Sequence, residues 1–296
     1  MTFLIGLFSA TIRITIPILL AALGGLVTQQ VGIINIALEG FALLGAFATI
    51  SFSYFFGNTW LGVLSGVLTS SLLSLVFGLL IIKYKTDEII TGIGINILAS
   101  GITLFLLKAI FNVTGAFSSE KVLPLPKLDF PLLKRIPFWG PILNNHTPLV
   151  YLSLFLIPVI HYLLFLTPFG LIIRGVGNNR EAAKTAGVNV NKTLYIAIVI
   201  SGALCGLAGA HISTGYVTMF SQDMIGGRGF IAFIAILFGN AKPVVVSLVC
   251  IFFGFVEALS YRLQQLGLPS QLVLMIPYIM AVLAVTLASI LQEKRA

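Results

Sequence analysis

Glu39 stands in the stretch GIINIALEGFALLGA, where almost every neighbour is apolar, and Asn35 precedes it by one helical turn. On a helix the two side chains share a face. A carboxylate among such neighbours is costly in lipid and needs a reason. It either sits on a solute path or helix break, or makes an interhelical hydrogen bond that fixes packing. Glu257 has the same two explanations, with Arg262 as a partner within reach. In DEIITGIGINILASGITLFL, the residues Gly92, Asn96, Ser100 and Thr103 recur at helical spacing and form a small polar stripe. That stripe suits a solvated path or a close helix contact. His211 follows a small-residue face made of Gly202, Gly206 and Gly209; it is a hydrogen-bonded packing residue or a proton relay. Asn35, Glu39, Asn96, Ser100 and His211 are thus the candidates for a translocation path.

Chemistry of other kinds finds no support. The chain has no GxxxxGK[ST], HExxH or GxSxG motif, and Gly175-Val176-Gly177 lacks the third glycine and the preceding strand of a dinucleotide loop. Cys205 and Cys250 lie in apolar runs without CxxC spacing or histidines at metal spacing, as buried thiols do. No catalytic residue, metal site or cofactor is expected in this chain.

The elements that carry these residues are membrane spans. Of 296 residues, 58% are hydrophobic and 9% charged, and mean hydropathy is +1.08. A soluble domain has about 25% charged residues. The net charge of +8 comes from 17 basic against 9 acidic residues. The basic residues fall mainly between apolar runs, which suits membrane topology rather than nucleic-acid binding. Runs of about 20 residues can cross a bilayer. They lie at Ile12–Val27, Gly32–Phe56, Trp60–Ile82, Glu88–Phe111, Leu149–Leu166, Thr193–Ser213, Pro243–Leu259 and Gln271–Leu291, with a shorter one at Gly229–Phe238. The expected fold is an all-α polytopic membrane protein with eight to nine transmembrane helices. The short run is half of a broken or re-entrant helix. The N-terminal run lacks a basic start and reads as a retained span, or an interfacial helix plus a span. Residues 1–296 form a single membrane domain. Within it, residues 112–148 are so rich in proline that they form an irregular loop, perforce without a continuous helix. Alternation of spans puts residues 169–192, the Lys83/Lys85 turn and the C-terminal Glu293-Lys294-Arg295 on one side.

Residues 169–192, FGLIIRGVGNNREAAKTAGVNVNK, are a polar island between two apolar runs. Arg174, Arg180, Lys184 and Lys192 face the single acid Glu181, and a short helix-forming patch, Glu181-Ala182-Ala183-Lys184, is closed by Gly187. The island either presents a small helix to a partner or is a solvated basic loop that sets topology.

Three segments carry a resemblance to a known family: LGGLVTQQVGIINIALEGFALLGAF, DEIITGIGINILASGIT, and the island followed by GGRGFIAFIAILFGNAKP. They resemble permease subunits of ATP-binding-cassette importers for branched-chain amino acids, ribose-type sugars and nucleosides, over almost the whole chain. The pattern G-R-G-F-I-A-x-x-A-x-x-F-G-x-x-x-P and the modest length are most similar to the shorter, nucleoside-type permease. Gln29-Gln30 departs from the charged pair often found there. The resemblance implies a bacterial cytoplasmic membrane, a sister permease paired with this one, and an ATPase subunit with two cassettes that binds the ATP. It also implies a lipid-anchored receptor that delivers the solute. The island would then be a cytoplasmic coupling loop contacting the ATPase through Arg174, Arg180, Glu181, Ala182, Ala183 and Gly187, and residues 112–148 an extracytoplasmic loop. A permease for simple sugars or branched-chain amino acids is the near alternative. An ion-coupled secondary transporter with Glu39 as its acid is the alternative from another class, though inverted repeats are not visible.

Overall fold

A computed structural model describes residues 2–131, 139–264, 275–276, 279–280 and 286. Helix α1 runs without a break over Thr2–Gln30, so the N-terminal segment is one helix, not an interfacial helix joined to a span. It is followed by α2 (Leu38–Phe56), α3 (Thr59–Gly78, continued as a π-helical turn over Leu79–Lys83) and α4 (Glu88–Phe111). After a loop come β1 (Ala116–Phe117), α5 (Trp139–Leu143) and α6 (Pro148–Phe165). The island forms α7 (Pro168–Asn178) and α8 (Arg180–Thr185). Then follow α9 (Val190–Ala210, with a π-helical turn over His211–Tyr216), β2 (Phe220–Ser221), α10 (Arg228–Phe238) and α11 (Pro243–Gln264). Among the described residues, seven helices are long and apolar enough to cross a membrane, and α10 is a shorter apolar helix. The protein is an all-α polytopic membrane protein, apart from the two-residue pairing of β1 with β2. The run Gln271–Leu291 lies outside the described residues.

Helices α1, α2, α3 and α9 form the centre. In lipid, apolar surface gains nothing by leaving one apolar medium for another, so close approach through small residues has to hold helices together. The glycine face of α9 does this. Gly202 lies against Ser70 and Ser74, Gly206 against Gly66 and Val67 of α3, and Gly209 against Ala42 and Ala46 of α2. Ser70 Oγ donates to the Gly202 carbonyl at 2.6 Å, a polar tie at the same contact. Phe41 and Phe77 meet edge to face at 6.0 Å between α2 and α3.

The second apolar run is interrupted. Residues 31–37 are not helical, and α2 starts only at Leu38. Asn35 therefore does not share a helix face with Glu39. Its Oδ1 accepts from Ala37 N at 3.0 Å, a local turn that competes with helix. Its Nδ2 donates to Ser201 Oγ of α9 at 3.0 Å.

The two ends of the bundle are defined by long-range bonds. At one end, Arg180 donates to the Gly32 carbonyl at 3.1 Å, and Gln30 Nε2 donates to the Ala241 carbonyl at 2.8 Å. The island, the α1–α2 connection, the start of α4 and the α10–α11 connection are together at this island end. At the opposite end, Leu125 N donates to Thr214 O at 3.0 Å, and the pairing of Ala116 with Ser221 leads from there back into the bundle. The proline-rich loop is folded back on the bundle there, and Leu128 bridges His146.

Candidate functional site

Helix α10 begins inside the bundle. Gly227, at φ 79°, takes the left-handed turn that opens it, a conformation glycine adopts without a Cβ penalty. The first N–H groups of a helix have no partner in their own helix, and in a membrane they must find one. Glu39 supplies it: Oε1 accepts from Gly227 N at 2.8 Å and Oε2 from Gly229 N at 2.7 Å. The carboxylate also sits at the positive end of the helix dipole. The next residue, Arg228, is ion-paired with Glu257 of α11, and their side chains are 13% and 11% exposed. Tyr261 donates to the same Glu257 oxygen at 3.2 Å. Glu257 does not take Arg262; the Arg262 guanidinium lies 5.8 Å from the ring centre of Phe3.

The polar stripe on α4 divides into two parts. Gly92 packs on Ile36 and Ala37. Asn96 accepts from Gly40 N at 2.8 Å and donates to Ile36 O at 3.0 Å, so it clamps the non-helical segment to α4. Thr103 bonds back to Ala99 O at 2.8 Å. Ser100 differs, because its hydroxyl donates to Asp223 Oδ1 at 2.8 Å. Asp223 lies in the segment between β2 and α10 and is exposed. Gln222 Nε2 is 3.5 Å from its other oxygen. Reading along the sequence missed Asp223, because it falls in a gap between runs. The shortness of the run Gly229–Phe238 is the available signal: what precedes a half-length helix must itself lie at membrane depth.

His211 is elsewhere. It is 1% exposed and opens the π-helical turn at the loop end of α9, with Nε2 3.3 Å from Arg13 O. It lines a cavity of about 60 Å³ with Arg13, Lys127 and His146. His146, in the loop outside the spans, is buried, and burial holds its imidazole below the ordinary histidine pKa. The structure therefore brings Glu39 and Ser100 to the level where α10 begins, ties Asn35 and Asn96 into helix packing, and leaves His211 at the loop end. Cys205 and Cys250 are buried free thiols.

At the island end, Asn179 joins α7 to α8 and caps α8 by accepting from Ala182 N at 3.0 Å. Gly187, at φ 83°, follows α8, and Val188 N then bonds back to Ala183 O at 3.0 Å. Ala183 is turned into the chain at 9% exposure. Glu181, Ala182, Thr185 and Ala186 are exposed. Arg174 is not on this face; its guanidinium lies 5.1 Å from the ring centre of Phe165. Arg180 reaches back to Gly32 and to Glu88, at 3.9 Å from the latter. Glu88 in turn accepts from Ile34 N at 2.6 Å. A cleft of about 870 Å³ separates α8 from the Lys85–Thr86 turn and is lined by Arg180, Glu181, Lys184 and Asn189 among others.

A bundle of apolar helices, with a short apolar helix opening inside it and a short polar helix exposed at one end, defines a polytopic membrane protein. Residues 7–285 match the family described as branched-chain amino acid transport system / permease component, and the chain belongs to that family. It is 37% identical to the guanosine ABC transporter permease protein NupQ of Bacillus subtilis, over 94% of this chain and 90% of that protein. It is 32% identical to the putative glucose ABC transporter permease protein TsgC13 of Haloferax volcanii, over 90% of this chain and 80% of that one. It is 30% identical to the nucleoside ABC transporter permease protein NupC of Lactococcus lactis, over 92% and 88%. No solved structure matches.

Proposed function

We propose that this chain is one permease subunit of an ATP-driven nucleoside importer in the bacterial cytoplasmic membrane. The observation that carries the substrate class is the full-length similarity to the guanosine permease, at higher identity than to the glucose relative. A separate two-cassette ATPase binds the ATP. A sister permease completes the path, and a lipid-anchored receptor delivers the nucleoside. The exposed apolar side of α4, with Ile90, Ile97 and Phe105 each about 70% exposed, suits contact with that sister or with lipid.

The island end faces the cytoplasm in this proposal, and the loop end, with residues 112–148, faces outward. Helix α8 is the coupling helix. Its exposed side, Glu181, Ala182, Thr185 and Ala186, meets the ATPase, while Ala183, Gly187 and Arg180 hold the helix in position. Small side chains let a helix enter a groove closely, and a charge at the edge adds selectivity. Closure of the ATPase then moves α8 and opens the path alternately to the two sides. The path passes Glu39 and Ser100, with Asn35 and Asn96 shaping its wall and His211 bracing its outer end.

Uptake of labelled guanosine, adenosine, ribose, glucose and leucine in a strain deleted for this chain, with and without the chain restored, tests the proposal. Restored, ATP-dependent uptake of the two nucleosides is the expected result. Restored uptake of ribose, glucose or leucine alone would replace the substrate class, and ATP-independent uptake by this chain alone would overturn the importer.

A further inference from the structure

Asp223 poses a physical problem. Ser100, its partner, lies twelve residues beyond Glu88, the first residue of the 24-residue α4. At about 1.5 Å per residue it is roughly 18 Å into the span, near the bilayer centre. A carboxylate facing hydrocarbon at that depth is costly, yet Asp223 is exposed. Its surroundings add to the difficulty. Arg228, five residues on, is engaged by Glu257 and Tyr261, and Glu39 is spent on the first N–H groups of α10. Arg228 is thus matched by Glu257, and the exposed Asp223 carboxylate gives this level of the bundle its negative character. Asp223 also holds a left-handed backbone at φ 51°, which places it at a turn ahead of Gly226 and Gly227. Strained positions of this kind persist where the surrounding structure over-determines them, often at sites that bind or switch.

We propose that Asp223, oriented by Ser100, is the solute-contacting group of the translocation path at mid-span. The remaining acceptor positions of its carboxylate take hydrogen-bond donors of a neutral solute, such as the vicinal hydroxyls of a ribose or the N–H edge of a purine. The negative field at this level turns anions away, phosphorylated nucleosides included. The solute class rests on the importer function proposed above; the negative, water-facing character of the position does not.

Ser100→Cys in the complete transporter, reconstituted with its ATPase, sister permease and receptor, tests this. Both native cysteines are buried, and the unsubstituted assembly measures their background. During ATP turnover, the new thiol should react with the cationic reagent methanethiosulfonate ethyltrimethylammonium about tenfold faster than with the anionic ethylsulfonate, relative to a free thiol. In Ser100→Cys/Asp223→Asn the preference should collapse, and guanosine should slow the reaction while guanosine monophosphate does not. A Ser100→Cys thiol that stays unreactive in an assembly still hydrolysing ATP means that Asp223 packs against the sister permease or lipid, and overturns the proposal. So does a charge preference that survives Asp223→Asn, or protection that guanosine fails to give although the unsubstituted transporter imports it. If the unsubstituted transporter imports another solute of the uptake panel instead, the nucleoside function fails, and that solute becomes the protecting ligand while the charge preference still decides the role of Asp223.

Discussion

Glu39 and Gly227 join two interrupted elements at one point: the side chain beginning α2 takes the N–H group that begins α10, at 2.8 Å. Neither start could stand alone in a membrane, since one leaves a carboxylate without solvent and the other leaves backbone donors without acceptors. Glu39→Ala should therefore unsatisfy two buried donors, at about 1–3 kcal/mol each, and lower the melting temperature of the detergent-solubilised protein. Glu39→Gln keeps one good acceptor and should lose less. Equal melting of the alanine variant and the unsubstituted protein would refute this role.

The Arg228–Glu257 pair makes a second prediction. Breaking one partner of a buried pair costs about 3–5 kcal/mol, whereas replacing both with apolar groups of similar size is often close to neutral. Arg228→Met and Glu257→Leu should each lower folded yield after solubilisation, and the double variant should recover most of it. A double variant worse than either single change would mean that the ions are not coupled.

For the coupling helix, exposure separates two neighbouring alanines. Ala182→Trp should abolish ATP-driven uptake with the protein still in the membrane at normal abundance, because the new side chain lies on the exposed face. Ala183→Trp must push α8 off its own chain and should reduce abundance as well. Gly187→Pro cannot keep φ 83° and loses the N–H that donates to Lys184 O at 3.0 Å, so uptake should fall in the same way. Normal uptake by Ala182→Trp would remove α8 from the ATPase contact.

Two glycine-to-alanine changes should have opposite signs. A Cβ at Gly206 would stand 2.7 Å from Gly66 O and from Val67 Cα, both backbone atoms, so α3 and α9 would have to part. Overpacking of this kind costs about 1–3 kcal/mol. A Cβ at Gly94 meets nothing within 4 Å, and there the helix should gain about 0.5–1 kcal/mol. Thermal unfolding in detergent compares the two directly.

His146 provides a pH test. Burial depresses its folded-state pKa, so the unfolded state binds the proton first, near pH 6.5. Stability from the neutral, buried imidazole is then complete above that pH and declines as pH falls below it. Arg13 and Lys127, beside it, oppose the added charge further. The melting temperature should drop more between pH 7.5 and pH 5.5 in the unsubstituted protein than in His146→Gln. An identical drop in both would assign the pH dependence to other groups.

Composition and run length made the membrane class and most spans legible, because spanning needs only sustained apolarity. The small-residue face of α9 was legible for a related reason: Gly202, Gly206 and Gly209 repeat at helical spacing, and close packing is what such repeats permit. Glu39 was visible as an anomaly, but its partner was not. A helix start donates from the backbone, which leaves no residue type to recognise in Gly227 and Gly229. Hydropathy also hid the break at residues 31–37, since Ile33, Ile34 and Ile36 read as span whether helical or extended. Arg262 is the basic neighbour of Glu257 in sequence, whereas the fold brings Arg228 to it from another helix. The alternation of spans did group the island with the Lys83/Lys85 turn, and Arg180 with Glu88 now shows why: they meet in space.

Helix α10 is held at both extremities by residues that flank the segment joining α1 and α2: near its start by Glu39 of α2, and just past its end through Ala241 and Gln30 of α1. Arg180 on α8 bonds the joining segment between them, at Gly32. A half-helix of 11 residues, about 16 Å long, thereby spans from the end of the bundle where α8 is displayed to the depth at which Asp223 meets Ser100. Under the coupling proposed above, a displacement of α8 would reach mid-span along these hydrogen bonds without passing through the tightly packed contact between α3 and α9.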